Sequence, residues 1–211
     1  MTKENKKPTI WLSADQHFGH TNIIKYCNRP FLNIEEMDNT IINNINLVVK
    51  PGDIFYILGD FCFCKDQERR KYILGNYRER IKCGTVNLVI GNHDSHYKDY
   101  SPKPYLFKHF NKVATSMMTV IENPITGEKK QLYMHHTACR VWPNSCHGSY
   151  HAFAHSHGTL PDDPLSLSLD VGVDCWNYYP INVVQIFNKM KEKEENRKKL
   201  KLENLDVEHD S

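Results

Sequence analysis

The stretch TVNLVIGNHD, residues 85–94, begins as an apolar run of β-forming residues and ends in a glycine followed by three polar residues. An earlier stretch, IFYILGD at residues 54–60, has the same form and ends in Gly-Asp. A third apolar run, TIWLS at residues 9–13, precedes both, and segments of helical character, MDNTIINNINLVV and DQERRKYIL, separate the three. Strand, helix, strand, helix, strand is typical of a parallel α/β sheet, which we expect in the first half of the chain.

The second half of the chain has a different pattern. The sequence ENPITGEKK, residues 122–130, indicates a turn between two strands, so we expect more antiparallel pairing there. A last helix is predicted to begin at Asn182, because Gln185 stands three residues further on and can complete a capping box. This helix continues into a tail rich in charges of both signs. We therefore expect one domain at residues 1–188 and a charged helical tail at residues 189–211.

Composition limits the classes of protein to consider. The 211 residues are 40% hydrophobic and carry a net charge of +2, which is no electrostatic signature for nucleic acid. The N-terminal sequence has no apolar leader, and no apolar run is long enough to span a membrane, so we expect a soluble, cytoplasmic protein without a membrane partner. The seven cysteines include no CxxC pair, which favours reduced thiols over a disulfide framework.

Five strand-like segments end in residues that bind metals or titrate. These residues are Asp15 and His17, Asp60, the group Asn92, His93 and Asp94, the pair His135 and His136, and the dyad His155 and His157. In an open α/β sheet the carboxyl ends of the strands form the crevice where ligands bind, so these side chains are predicted to converge. Because side chains alternate along a strand, the two members of each Asp-x-His or His-x-His dyad are expected to face the same side. Gly59 and Gly91 are expected to allow tight turns before the ligands.

The ordered set Asp-x-His, Gly-Asp, Gly-Asn-His-Asp, His and His-x-His, across residues 9–180, resembles the calcineurin-like metallophosphoesterase superfamily. The stretches SADQHFGHTNIIKYCNRPF, HHTACRVW and HGSYHAFAHSHG are similar to its small bacterial and phage-encoded members. The resemblance implies an α/β (α+β) fold, a calcineurin-like four-layer sandwich of two mixed β-sheets flanked by helices. The tail beyond about residue 190 lies outside the resemblance.

The resemblance also implies two divalent metal ions bridged by Asp60. One ion would take Asp15, His17 and His157, and the other would take Asn92, His155 and one histidine of the adjacent pair. Of that pair, His136 fits the register better than His135. We expect Mn²⁺ first, with Fe, Zn²⁺ or Ni²⁺ as alternatives, because carboxylate, imidazole and amide ligands do not choose among these metals.

The activity implied by the resemblance is the hydrolysis of phosphate esters, more readily diesters than monoesters. In-line attack by a hydroxide that bridges the metals would need no Ser or Cys nucleophile. His93 is expected to be the general acid or a donor to the phosphoryl oxygen, and Asp94 is expected to orient its ring. His20, Arg29 and Arg140 are candidates for phosphate contact.

Two other functions stay open at this stage. A metal-dependent nuclease acting on DNA or RNA uses the same core, although the charge balance does not indicate nucleic acid. A non-catalytic scaffold of the same fold would lose ligands that are all present in this sequence. A small phosphate ester or a nucleotide is the expected substrate. His147 and His151 either line the substrate side of the site or belong to a surface hairpin. The sequence does not indicate an oligomeric state.

Overall fold

The computed structural model describes residues 7–209, and within these residues nine strands form two sheets. In spatial order the first sheet contains β4 (Lys112–Ala114), β3 (Thr85–Val89), β2 (Ile54–Leu58), β1 (Ile10–Ser13) and β9 (Ile181–Asn182). Its first four strands are parallel, which the sequence predicts for β1, β2 and β3, and β9 joins the edge antiparallel to β1.

The second sheet is mixed as well. In spatial order it contains β5 (Ser116–Glu122), β6 (Lys129–His135), β7 (Tyr150–Phe153) and β8 (Ser168–Asp170). The hairpin of β5 and β6 is antiparallel, with the predicted turn closed by a hydrogen bond from the Asn123 amide to the Glu128 carbonyl at 2.8 Å. The expectation of antiparallel pairing holds only for this hairpin, because β6, β7 and β8 are parallel to one another. Their crossovers contain no α-helix, so the sequence lacked the usual signal for parallel strands.

Four α-helices occur in the described part of the chain. They are α1 (Thr21–Tyr26), α2 (Ile34–Val48), α3 (Gln67–Arg80) and α4 (Val183–His209). The capping box predicted for the last helix is present: the Asn182 side chain accepts from the Gln185 amide at 3.2 Å, and the Gln185 side chain accepts from the Asn182 amide at 3.0 Å. This reciprocal pair satisfies amides that the first helical turn leaves without partners.

Two hydrophobic clusters form the core on either side of the first sheet. Ile57 packs with α2 and α3 in one cluster, while the next residue, Leu58, packs between the two sheets in the other. Alternation along β2 produces this division, and burial on both faces explains why the strand is apolar throughout. Side chains of α4 complete the cluster between the sheets, and Phe187 packs edge-on against Tyr150 of β7. The expected fold class, α/β with two mixed sheets flanked by helices, is thus confirmed.

Helix α4 continues past residue 188 without a break. Met190 is fully buried, and the buried ammonium of Lys193 donates to the carbonyl of Ser168 at 2.7 Å and to that of Asp163 at 3.0 Å. The division into residues 1–188 and 189–211 stays a prediction, although these two residues on the tail's side pack into the fold. No helix in the described residues is long and apolar enough to cross a membrane.

Candidate metal centre

The predicted metal-binding residues lie beyond the carboxyl ends of strands from both sheets. Asp15 follows β1 and Asp60 follows β2 in the first sheet, while His136 follows β6 in the second. Asn92 lies just beyond β3, and His155 lies just beyond β7. The two sheets therefore present their ligand-bearing loops to one common region, as the sequence predicts.

These side chains form three groupings in which the potential ligand atoms all lie within 4.8 Å of one another. The groupings are Asp15, His17 and His157; His17, Asp60 and His93; and Asp60, His136 and His155. Asp60 lies at the centre: its Oδ2 is 3.5 Å from His17 Nε2, 3.6 Å from His136 Nε2 and 3.8 Å from His93 Nε2. One carboxylate thus faces two sets of nitrogen donors.

A hydrogen bond fixes which nitrogen of His136 faces the cluster. His136 Nδ1 lies 2.7 Å from the carbonyl oxygen of Leu58, so this nitrogen carries the proton and donates it. The lone pair of His136 Nε2 then points to the side where Asn92 Oδ1 and His155 Nδ1 each lie 3.2 Å away. The neighbouring His135 belongs to none of the groupings, and its Nδ1 accepts from the Thr137 amide at 3.1 Å. The structure therefore brings His136, and not His135, to the cluster.

The donor set passes a test of fit for divalent metals. Asp15 Oδ1 and His17 Nε2 are buried and have no hydrogen-bond partner. A buried polar atom without a partner costs about 1–3 kcal/mol, so such atoms are rare unless something binds them. Carboxylate, imidazole and amide donors are the types that Mn²⁺, Fe, Zn²⁺ and Ni²⁺ share. These residues therefore fit the implied metal ions.

The backbone of the ligand loops is left-handed at five of the predicted ligands. The φ angles are 57° at Asp15, 53° at His17, 52° at Asp60, 74° at His155 and 48° at His157. The expectation that each dyad lies on a strand is wrong, because β1 ends at Ser13 and β7 ends at Phe153. Residues other than glycine seldom adopt a left-handed backbone conformation, and such residues are concentrated at functional sites where the surrounding structure enforces it.

Two glycines make room for the cluster. A Cβ on Gly59, whose φ is 92°, would lie 2.3 Å from His136 Nδ1. A Cβ on Gly91 would lie 2.2 Å from Asp60 Oδ1. The predicted need for glycine is met, and at Gly91 the close approach of a ligand carboxylate is the cause, since its φ is not left-handed.

Burial shifts the titration of the cluster. It raises the pKa of Asp60 to about 6, and burial together with the charge of Asp60 raises the pKa of Asp15 well above its usual value. Burial lowers the pKa of His93 and of His136 to about 4, and it holds the pKa of His17 well below its usual range. At neutral pH these imidazoles are uncharged, which is the state in which a ring nitrogen can bind a cation.

The structure gives Asp94 contacts other than the predicted one with His93. Its Oδ2 accepts from the backbone amides of Asp60 at 2.7 Å and Gly91 at 3.0 Å, and no hydrogen bond in the described chain joins Asp94 to the ring of His93. The carboxylate is fully buried beneath these turns, and burial followed by the charge of Asp60 raises its pKa to about 6. Asp94 therefore holds the backbone that carries Asp60.

The guanidinium of Arg29 is already fully engaged by other residues. Its side chain is 0% exposed and pairs in a bidentate manner with Asp174, both N···O distances being 2.8 Å. The same group donates to the carbonyls of Gln16 at 3.1 Å and Asp15 at 2.7 Å. Arg29 therefore anchors the loop that carries the first two ligands, and its contact with a phosphate stays a prediction.

Asp174 is a site residue that the sequence analysis missed. Its Oδ2 lies 2.8 Å from His157 Nδ1, so it accepts that proton and leaves the lone pair of His157 Nε2 free to bind a cation. Burial raises the pKa of Asp174, but the hydrogen bonds from His157 and Arg29 outweigh this and keep the net pKa below its usual value. Carboxylates that orient a histidine ligand in this way are common around metal sites. In the sequence, Asp174 closes the segment DVGVD, residues 170–174, which follows the last His-x-His dyad.

The remaining histidine and arginine candidates for substrate contact differ in whether they line the cavity in front of the cluster. His20 is half-buried, with its Nδ1 3.3 Å from His17 Nδ1, and it lines the cavity in front of the cluster. Arg140 and His147 are exposed and do not line that cavity. His151 is fully buried, with its Nε2 accepting from the Cys139 amide at 3.1 Å, so its role is structural. Of these four residues, only His20 lines the cavity.

Comparison with known proteins gives a relative of unknown activity. The chain is 33% identical over 176 residues to the uncharacterized protein MJ1445 of Methanocaldococcus jannaschii. The alignment covers 82% of this chain and 86% of that protein. No family model matches the sequence.

The crystal structure of AQ665, a protein of unknown function from Aquifex aeolicus, superposes with a TM-score of 0.55 at 22% identity, covering 86% of this chain and 98% of that one. Nuclease MPE of Pseudomonas putida gives a TM-score of only 0.40 at 20% identity, covering 70% of this chain and 61% of that one. The AQ665 superposition supports a common fold and nothing about activity, and the nuclease score is too low to support either. By the extent and identity of the first alignment, the chain belongs to the family of MJ1445.

Proposed function

We propose that this protein is a phosphoesterase that depends on two divalent metal ions. The observation that carries the proposal is the central position of Asp60, whose single carboxylate faces His17 on one side and His136 with His155 on the other. Two divalent ions in such a site would supply positive charge for the phosphoryl oxygens and would lower the pKa of water to yield a nucleophile. Mn²⁺ is the ion to supply first.

The chain's own residues divide the remaining work. Asp15, His17 and His157 would hold one ion, while Asn92, His136 and His155 would hold the other, with Asp60 shared. His93 is half-buried and lines the cavity, so a bound ester can reach its ring. Because its pKa is about 4, the ring is neutral at pH 7 and would serve first as a hydrogen-bond donor to a phosphoryl oxygen. The negative charge of a bound phosphate would raise this pKa toward that of a general acid.

The charge of the ligand set favours phosphodiesters. Asp15 and Asp60 contribute two negative charges, and the other predicted ligands are neutral. Two divalent ions would leave a net charge of +2, which a hydroxide nucleophile and one singly charged diester neutralise. A doubly charged monoester would leave an excess negative charge with no free cation among the ligands, and ion charge dominates sites of this kind.

The test measures metal content and hydrolysis together. With Mn²⁺ supplied, we expect two metals per chain and cleavage of bis-p-nitrophenyl phosphate at higher kcat/KM than p-nitrophenyl phosphate. Asp60→Ala should lower the occupancy of both ions. His93→Ala should retain the metals and lose activity by about 10²–10⁴-fold. The exposed His147→Ala is the matched control and should change neither quantity.

Some outcomes would contradict the proposal. A single metal insensitive to Asp60→Ala would refute the shared carboxylate. Loss of metal in His93→Ala would show that His93 is a ligand and not a donor to the substrate. A preference for the monoester would overturn the charge argument alone.

A further inference from the structure

A row of aromatic rings leads from the metal cluster to the outer part of the cavity. The ring centroid of Phe63 lies 4.5 Å from that of His93 and 4.5 Å from that of His20. The ring of Tyr26 follows, with its centroid 6.2 Å from that of His20. The row therefore begins beside Asp60, which His93 approaches, and ends at a side chain on helix α1.

The outer end of this row combines a ring face with exposed amide groups. Asn22 and Tyr26 are four residues apart on α1, which places them on one face of the helix, and both line the cavity. Asn28, just after the helix, lines it too. Tyr26 is 70% exposed, and the side chains of Asn22 and Asn28 are exposed as well. These groups are free to meet a ligand.

We propose that this outer region, formed by Tyr26, Phe63, Asn22 and Asn28, binds the nucleobase of a nucleotide ester whose phosphate sits at the metal cluster. The inference rests on the proposed function for the position of the phosphate. A base offers a flat face that stacks on aromatic side chains, and its polar edge can pair with an amide, which both donates and accepts.

The size and charge of the cavity favour a single nucleotide over a nucleic-acid chain. Its volume is about 1020 Å³, at the upper end of small-molecule sites and far more than inorganic phosphate needs. Lys65 is the one lysine or arginine among the cavity-lining residues, all of which belong to the described part of the chain. A track for successive phosphates would need several such cations.

The experiment compares ligands that differ only in the base. Adenosine 5′-monophosphate and ribose 5-phosphate are titrated calorimetrically into the Mn²⁺-loaded protein. Stacking of one base predicts that the nucleotide binds about tenfold tighter or more. Tyr26→Leu should reduce this ratio to less than about twofold while leaving the affinity for ribose 5-phosphate unchanged, because only the base reaches Tyr26. Tyr72→Leu is the control, since Tyr72 is 73% exposed on α3 and does not line the cavity.

A second measurement separates this inference from the proposed function. Adenosine carries no phosphate, so saturation-transfer NMR of its ring protons with metal-free protein should detect the subsite alone and lose the signal in Tyr26→Leu. Equal affinity for the two phosphates, or an equal effect of Tyr72→Leu, would overturn the subsite. If neither phosphate binds better with Mn²⁺ while the adenosine signal persists, the metal-dependent function fails and the subsite stands.

Discussion

Replacing Arg29 by methionine tests whether this residue anchors the ligand loop. The substitution keeps an unbranched side chain of similar length but removes five hydrogen bonds: two to the Asp174 carboxylate, two to the carbonyls of Asp15 and Gln16, and one to the sulfur of Met37. The Arg29 side chain is 0% exposed and that of Asp174 is 8% exposed, so a partly compensated buried charge stays behind. Breaking a buried ion pair from one side costs about 3–5 kcal/mol.

This loss converts to a large change in thermal stability. For a chain of this size each kcal/mol lowers Tm by about 2–4 °C, so Arg29→Met should lower Tm by about 6–20 °C. Circular dichroism in the presence of a chelator gives the measurement free of any metal contribution. Arg140→Met is the matched control, since Arg140 is exposed and makes no ion pair in the described chain, and it should shift Tm by less than about 2 °C.

The result also decides between anchoring and substrate contact. If Arg29 bound phosphate, the methionine variant would keep its Tm and raise KM. If Arg29→Met lowered Tm by less than about 2 °C, or if the two variants lowered Tm equally, the anchoring role would be refuted.

The remaining predictions concern the ligand register, a glycine and a buried histidine. His136→Ala should lower metal occupancy, whereas His135→Ala should keep it, as elemental analysis would show. Gly91→Ala should lower metal occupancy, and it should lower the free energy of unfolding by about 1–3 kcal/mol, because its Cβ would meet a ligand carboxylate. Gly52→Ala is the control and should change neither quantity, because the space around Gly52 is open. Burial lowers the pKa of His151 to about 4 from its usual 6.5, so the neutral ring's contribution to stability is intact above that upper value and is lost as pH falls toward the lower one. Denaturant unfolding at pH 7 and pH 5 measures how much the free energy of unfolding decreases on acidification. His151→Gln should reduce this decrease by up to about 1.4 kcal/mol per pH unit.

The convergence of the ligands was predictable because it depends only on topology. Residues that follow parallel strands meet at one edge, so the positions after β1, β2 and β3 required nothing beyond an apolar run and its end. The reciprocal cap at Asn182 and Gln185 was equally accessible, since it depends on a spacing of three residues. Local patterns and strand order therefore account for most of the site's membership.

The roles of Asp94 and Arg29 were not predictable, because partners far apart along the chain decide them. Asp94 stands beside His93 in sequence but bonds the amide of Asp60, which is 34 residues away. Arg29 pairs with Asp174 across 145 residues. A charged residue near a ligand can equally face the substrate or hold the loop, and only burial and hydrogen bonding distinguish the two. The parallel pairing of β7 and β8 escaped for a similar reason, since no helix in their crossovers signals it.

The left-handed ligand loops have a consequence for how the site forms. The amide of His17 donates to the Asp60 carbonyl at 2.9 Å, and the amide of His155 donates to Asp15 Oδ2 at 2.9 Å. The first bond joins the loops after two strands of one sheet, and the second joins that sheet to the other. An isolated strand and loop would relax from such angles, because each costs about 1–3 kcal/mol unless tertiary contacts enforce it. The ligand geometry is therefore a property of the packed pair of sheets, and substitutions that separate the sheets should weaken metal binding even where they touch no ligand.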